Sequence, residues 1–261
     1  MLILLSPAKN MNFDPVERDL PATRPPLIDE TRILSKTTRQ LTAPKIKAMM
    51  KISDDLARLN RERFQAFDAE APGEKQAAFA FNGEVYRGLE ADSLSDADLD
   101  YAQDHLRILS GMYGALRPLD AIHPYRLEMG RKLHTRRGEN LYDFWGDRIA
   151  KELNSLQEGK DDPVVLNLAS NEYFKSVDRK KLKARVITAN FKEEKDGQLR
   201  ALMVFAKKAR GMMARWVIQN RVEDPAELRK FDLGGYRFEA DGSSEDELLF
   251  TRPQPVAAKA A

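Results

Sequence analysis

The sequence predicts an α+β fold: a central mixed sheet surrounded by helices, in one domain over residues 1–252 with a flexible tail at 253–261. Three observations carry this. Apolar runs of strand length stand at Met1–Leu5 and Pro163–Leu168. Segments of helical periodicity lie among them, but not as regular strand–helix–strand units. No repeat period appears in the 261 residues.

Met1 to Leu5, stopped by Ser6-Pro7, reads as a buried strand. Asp14 to Pro26 carries four prolines and predicts a loop. Ile28–Leu41 reads as a helix, and Thr42-Ala43-Pro44 starts another that continues through Met50. Ser53 caps a third, with Leu56, Leu59 and Phe67 on one face, and Pro72 opens a fourth that carries Phe79. Ser95 opens a helix over Asp96–Leu109, followed by the glycine-flanked turn Ser110–Gly114. Leu141 to Leu156 has the clearest helical spacing. Arg185–Phe191 and Leu199–Phe205 read as strands around the turn Lys195-Asp196-Gly197. A helix over Ala206–Asn220 and short strands at Tyr236–Phe238 and Leu248–Phe250 complete the chain.

Composition narrows the function. Hydrophobic residues make up 42% and charged residues 32%, the balance of a globular chain. The absence of cysteine removes disulfides, thiolate nucleophiles and cysteine-ligated metals. No apolar run reaches the roughly 18 residues of a membrane span, and Met1–Pro7 lacks a basic n-region, so a cytoplasmic protein without a membrane partner is expected. Phosphate-binding Walker loops, GxGxxG, HExxH and GxSxG are absent. The three histidines (105, 123, 134) show no i, i+4 pair, so no metal and no cofactor are expected.

The 43 basic and 41 acidic residues are segregated. Residues 31–63, 105–137 and 171–215 carry net charges of +6, +5 and +8, whereas residues 222–250 carry −6. Such blocks allow a basic face that attracts phosphates at a near-neutral total, or they are solvated helix surfaces.

Several motifs fit phosphate binding. Ser6-Pro7-Ala8-Lys9 leaves the first strand. In Ser110-Gly111-Met112-Tyr113-Gly114, two glycines three apart could expose backbone N–H groups to a phosphate, with Arg117 adding charge. The spacing resembles a helix-hairpin-helix turn, whose glycines lie two apart; a plain helix end is the alternative. Arg126 and Glu128 could hold a ligand or only a loop. Asn167, Ser170, Glu172 and Lys175 follow the end of an apolar strand, where sites often form, although Ser170 also suits a helix N-cap. Lys207, Lys208 and Arg210 crowd a helix start, where positive charge opposes the helix dipole.

With these strings in place, the chain resembles the YaaA family of bacterial peroxide-stress resistance proteins nearly end to end. The likeness rests on Ser6–Lys9, Phe81–Tyr86, Leu106–Gly114, Leu116–Asp120, Pro124–Gly130, Leu141–Asp147, Asn167–Val177 and Ala206–Gly211. Asn10-Met11-Asn12 departs from the family's more usual Thr-Leu-Asp. The resemblance implies a cytosolic protein that protects against hydrogen peroxide and limits free iron. It also implies a family-specific fold with a helix-hairpin-helix-like element, and sequence-nonspecific binding of double-stranded or structured DNA through a basic cleft. The cleft residues would be Lys9, Arg126, Lys175, Lys207, Lys208 and Arg210, and the hairpin Ser110, Gly111 and Gly114 with Arg117.

Two functions follow. A DNA-binding stress protein is the leading expectation. The alternative is an enzyme for a small phosphorylated or nucleotide-like ligand, in a pocket of Ser6, Lys9, Glu128, Asn167, Ser170, Glu172 and Lys175.

Overall fold

The computed structural model describes residues 1–255. The chain opens with β1 (Leu2–Leu5) and β2 (Asn10–Met11), followed by α1 (Ile28–Thr38), α2 (Ala43–Met50) and α3 (Asp54–Ala66). Next come β3 (Lys75–Gln76), α4 (Ala77–Ala80), β4 (Phe81–Asn82), α5 (Glu84–Leu89) and α6 (Asp96–His105). The middle holds β5 (Leu106–Ser110), β6 (Gly114–Leu116), β7 (Ala121–Ile122), α7 (Leu141–Trp145), α8 (Arg148–Ser155), β8 (Val164–Asn167) and α9 (Asn171–Phe174). β9 (Arg185–Lys195), β10 (Gln198–Arg200), α10 (Met203–Asn220), β11 (Arg237–Glu239) and β12 (Glu247–Pro253) follow.

The fold is α+β around a mixed sheet of eight strands, in the order β11-β12-β9-β8-β1-β5-β6, with β10 paired to β9. β12, β9, β8, β1 and β5 run parallel, whereas β6, β10 and β11 join antiparallel. The all-apolar Leu2–Leu5 suits the centre of a parallel sheet, and every residue of β1 is buried. β9 alternates instead, burying Ile187, Ala189, Phe191 and Glu193. Phe191, Phe231, Tyr236 and Phe250 pack edge-on or stacked beside it.

Several elements differ from their sequence reading. The helix expected over Asp96–Leu109 ends at His105, and Leu106–Ser110 becomes a central strand pairing Ile3 with Leu106 and Leu5 with Ile108. Leu106 and Leu109 fit a helical stripe, but pairing with β1 buries both faces of the segment. The expected helix over Leu141–Leu156 breaks at Gly146, whose φ of +51° lies in the left-handed region. No helix starts at Pro72; Lys75–Gln76 pairs with Ala121–Ile122, and only Ala77–Ala80 turns helical. The strand at Leu199 stops at Arg200, so Phe205 lies in α10. On α3 the inward face is Ala57, Asn60 and Phe64, while Leu56 and Leu59 are exposed. Pro253 belongs to β12, and the part of the expected tail at 256–261 lies outside the described residues.

α5 and α10 cross backbone to backbone. A Cβ on Gly211 would lie 1.8 Å from the Val85 carbonyl oxygen, and one on Gly88 would lie 2.1 Å from that of Lys208. Only glycine permits that approach.

Candidate functional site

From β1 the chain moves to β5 on one side, then returns to β8 on the other, so the order reverses between β1 and β8. The crevice beyond the carboxyl ends of strands at such a reversal is where open parallel sheets bind ligands. The loops leaving β1 and β8 meet there. The Leu168 N–H donates to the Leu4 carbonyl at 3.0 Å. The Ser170 N–H donates to Ser6 Oγ at 2.9 Å, and the Ser6 hydroxyl donates to Ser170 Oγ at 3.3 Å. Ser170 stands at the N-cap position of α9, yet its side chain makes no cap bond and faces Ser6. Asn167 Oδ1 accepts the Ala169 N–H at 3.1 Å and holds the same turn.

Glu128 gathers the neighbouring cations. Its carboxylate is 3% exposed and faces Lys9 Nζ at 3.2 Å, Arg126 Nη2 at 3.3 Å and Arg131 Nε at 3.0 Å. Burial alone would push this carboxyl up; Arg131, Arg126 and Lys9 outweigh it and hold the group below the usual carboxylate value. Three cations on one carboxylate leave the cluster net positive. Lys9 is exposed, and Arg126 keeps a buried Nε without a hydrogen-bond partner. Glu172 ties this loop to α9 by accepting the Gly130 N–H at 3.0 Å, and Lys175 Nζ sits 5.0 Å over the Tyr142 ring.

Tyr86 supports the site from beneath, donating its hydroxyl to the Ser6 carbonyl at 3.0 Å. Burial, with Tyr125 and Tyr173 nearby, holds its phenol proton well above the usual value. The sequence alone assigns no site role to Tyr86, although it lies in the Phe81–Tyr86 string, or to Arg131. A phenol reads as core and Arg131 as one charge in a basic block; only the fold turns both toward Ser6 and Glu128.

The N-terminal half of α10 extends the same edge. The helix starts beside the end of β9, where the Leu202 N–H donates to the buried Glu193 at 3.3 Å. Tyr236 donates its hydroxyl to Glu193, and Arg252 lies 3.4 Å away. Lys207 and Lys208 are exposed. Arg210 is half-buried with an unpartnered Nε, and burial lowers its pKa. α10 reaches the β1 loop through α5, since a Cβ on Gly83, just before α5, would lie 3.0 Å from Ala8 Cβ.

Ser110, Gly111 and Gly114 are buried and offer no phosphate contact: Ser110 pairs with the Tyr125 hydroxyl at 2.6 Å, and a Cβ on Gly111 would lie 2.2 Å from the Leu127 carbonyl, beneath the Glu128 loop. With β5 a strand, Ser110–Gly114 is the turn of a buried β-hairpin, not of a helix-hairpin-helix. The Ser110 hydroxyl accepts the Met112 and Tyr113 N–H groups at 3.2 and 2.9 Å, so these donors point inward. Arg117 is engaged by buried Asp120 at 2.9 Å and by the Arg24 carbonyl at 2.8 Å. Two helices joined by a short link do occur at α2–α3, but Asp54 and Asp55 occupy the first turn of α3 and would repel a phosphate. Among the described residues no group of three or more His, Asp or Glu is placed to hold a metal, and no helix is long and apolar enough to cross a membrane.

Comparison with known proteins agrees along the whole chain. The family model for peroxide stress protein YaaA matches residues 1–242. A UPF0246 protein of Maricaulis maris is 85% identical over 258 residues, covering 99% of this chain and 98% of its own. A UPF0246 protein of Caulobacter vibrioides is 56% identical, covering 98% and 100%. One of Phenylobacterium zucineum is 52% identical, covering 98% and 96%. With the family model spanning Ser6–Lys9, the Glu128 loop, Ser170–Lys175 and the basic start of α10 together, this chain belongs to the YaaA family of peroxide stress proteins.

Proposed function

We propose that this peroxide-stress protein is cytoplasmic and protects DNA by holding its backbone phosphates, without reading sequence, along the cationic edge formed by Lys9, Arg126, Lys175, Lys207, Lys208 and Arg210. The observation that carries the reading is the charge imbalance there: Lys9, Arg126 and Arg131 converge on one carboxylate, and Lys207 and Lys208 are exposed at the start of α10. Phosphate contacts supply affinity without sequence information. The limitation of free iron implied by the family belongs to the same proposal. Its test is whether a Lys207→Glu/Lys208→Glu chain still lowers free iron and restores peroxide tolerance in cells that lack the protein.

Fluorescence anisotropy of a labelled duplex at several salt concentrations tests the DNA reading directly. Affinity should fall log-linearly with salt, with a slope of about −0.9 per phosphate contacted. Lys207→Glu/Lys208→Glu should weaken binding at least tenfold for unrelated sequences alike and flatten that slope. Unchanged affinity sinks the mapping.

A second reading is favoured by the meeting of Ser6 and Ser170 at the strand-order reversal. A small phosphorylated or nucleotide-like ligand would sit there, with Lys9, Glu128, Asn167, Glu172 and Lys175 around it. A panel of mononucleotides that raises the melting temperature of the native chain but not of Ser6→Ala/Lys9→Ala, in a protein that leaves duplex DNA unbound at low salt, would put this reading first.

A further inference from the structure

Among the described residues six large apolar side chains are exposed, and three fall within one short stretch: Leu199 on β10, and Met203 and Val204 on the first turn of α10, at 43%, 60% and 58% exposure. None of the described residues covers them, and Met203 and Val204 are the most exposed of the six. On a helix, residues three and four apart share a face. Val204 therefore stands directly before Lys207 and Lys208, and Met203 before Lys207, all four in solvent. The result is an apolar tip with a lysine pair one turn, about 5.4 Å, further along the same face.

Resting on the DNA reading above, we propose that Met203 and Val204, flanked by Leu199, form a wedge that enters a base step of the duplex while Lys207 and Lys208 hold the adjoining phosphates. The chemistry fits in both parts. Apolar side chains partly unstack a base step and kink the duplex, and the bend brings more backbone within reach of basic side chains. Charge decides between this occupant and a second copy of the chain. A two-fold contact through the tip would bring Lys207 and Lys208 of one copy toward those of the other, and like charges so placed repel. A polyanion carrying stacked apolar bases meets both the lysines and the tip. The tip is also firmly mounted: buried Glu193, bonded by Tyr236 and faced by Arg252, accepts the Leu202 N–H at the helix start.

The test uses the full chain and a duplex with 2-aminopurine at a central step and a donor–acceptor dye pair at its ends. Binding should raise the 2-aminopurine fluorescence and shorten the end-to-end distance. A duplex with a central mismatch should bind roughly tenfold more tightly than the matched one, since its step is already loosened. Met203→Ala/Val204→Ala touches only exposed positions and improves helix propensity, so it folds. This variant should lose the fluorescence rise, the bend and the mismatch preference, while the salt slope of its affinity stays as in the native chain. Native chain that binds without unstacking or bending DNA overturns the wedge and leaves phosphate holding intact. A shift from dimer to monomer in the alanine variant, seen by sedimentation, overturns it in favour of a second copy. Absence of any DNA binding removes both readings together.

Discussion

Glu128 is almost closed off from solvent yet faces Lys9, Arg126 and Arg131, so replacing it has two opposed effects. In Glu128→Gln the three cations lose their common counter-charge, and stability should fall by about 2 kcal/mol, less than for a fully buried pair because Lys9 and, in part, Arg126 and Arg131 reach solvent. The same change removes the carboxylate on which Lys9, Arg126 and Arg131 converge, which competes with an incoming phosphate. DNA or nucleotide should therefore bind the folded variant more tightly than the native chain. Urea unfolding reads the first effect and anisotropy the second; a variant both less stable and weaker in binding would show Glu128 to be only a structural anchor. At this scale the sequence was legible where a residue's neighbours lie nearby in the chain. Ser6, Lys9, Ser170 and Lys175 stand out because they follow apolar strands. The link between Ser6 and Ser170 joins loops 164 positions apart, and no local pattern encodes it. Ser110 and Gly111 misled because a glycine turn looks the same whether its N–H groups face solvent or, as here, the Ser110 hydroxyl.

The crossing of α5 and α10 mechanically couples the basic helix to the β1 loop. In Gly211→Ala the new methyl would meet the Val85 carbonyl, and the helices must separate. Overpacking of this kind costs about 3 kcal/mol, so the melting temperature should drop by roughly 6–12 °C. Scanning calorimetry checks this; an unchanged melting point would mean that the crossing gives way freely. Elements follow the same rule of legibility as residues. β1 and β8 are evident because continuous apolar runs suit a strand buried on both faces. β5 is not, because Leu106 and Leu109 also satisfy a helical period and the deciding partner is β1. α7 and α8 look continuous because Gly146 interrupts the backbone without interrupting the apolar stripe.

Over the whole molecule, acid should destabilise the fold in two stages. Burial lowers the His105 pKa, so its neutral form is favoured in the folded chain. The unfolded chain then binds the extra proton first, and stability declines as pH falls through about 6.5. Burial tends to raise Glu30, Asp98, Glu128 and Glu223, but their partners outweigh it, Arg137 and Arg148 on Glu30 and Ser95 and Arg221 on Asp98 among them, and all four sit below their ordinary values. Their contribution is complete above about 4.5 and is lost as pH drops through the lowered values. Urea midpoints at pH 8, 6 and 4 should fall in that order; a midpoint that rose on acidification would contradict the assignment.

The central position of β1 also bears on the order of synthesis. Its neighbours in the sheet are β5 and β8, so Ile3 waits for Leu106 on one side and Leu166 on the other. At ribosomal speeds of about 5–20 residues per second, the gap to Leu106 alone lasts roughly 5–20 s. For that interval the Leu2–Leu5 run is an apolar strand with neither edge partnered, the form most prone to sticking to other nascent chains. The burden of keeping this protein soluble therefore falls on the growing chain and its chaperones more than on the finished surface.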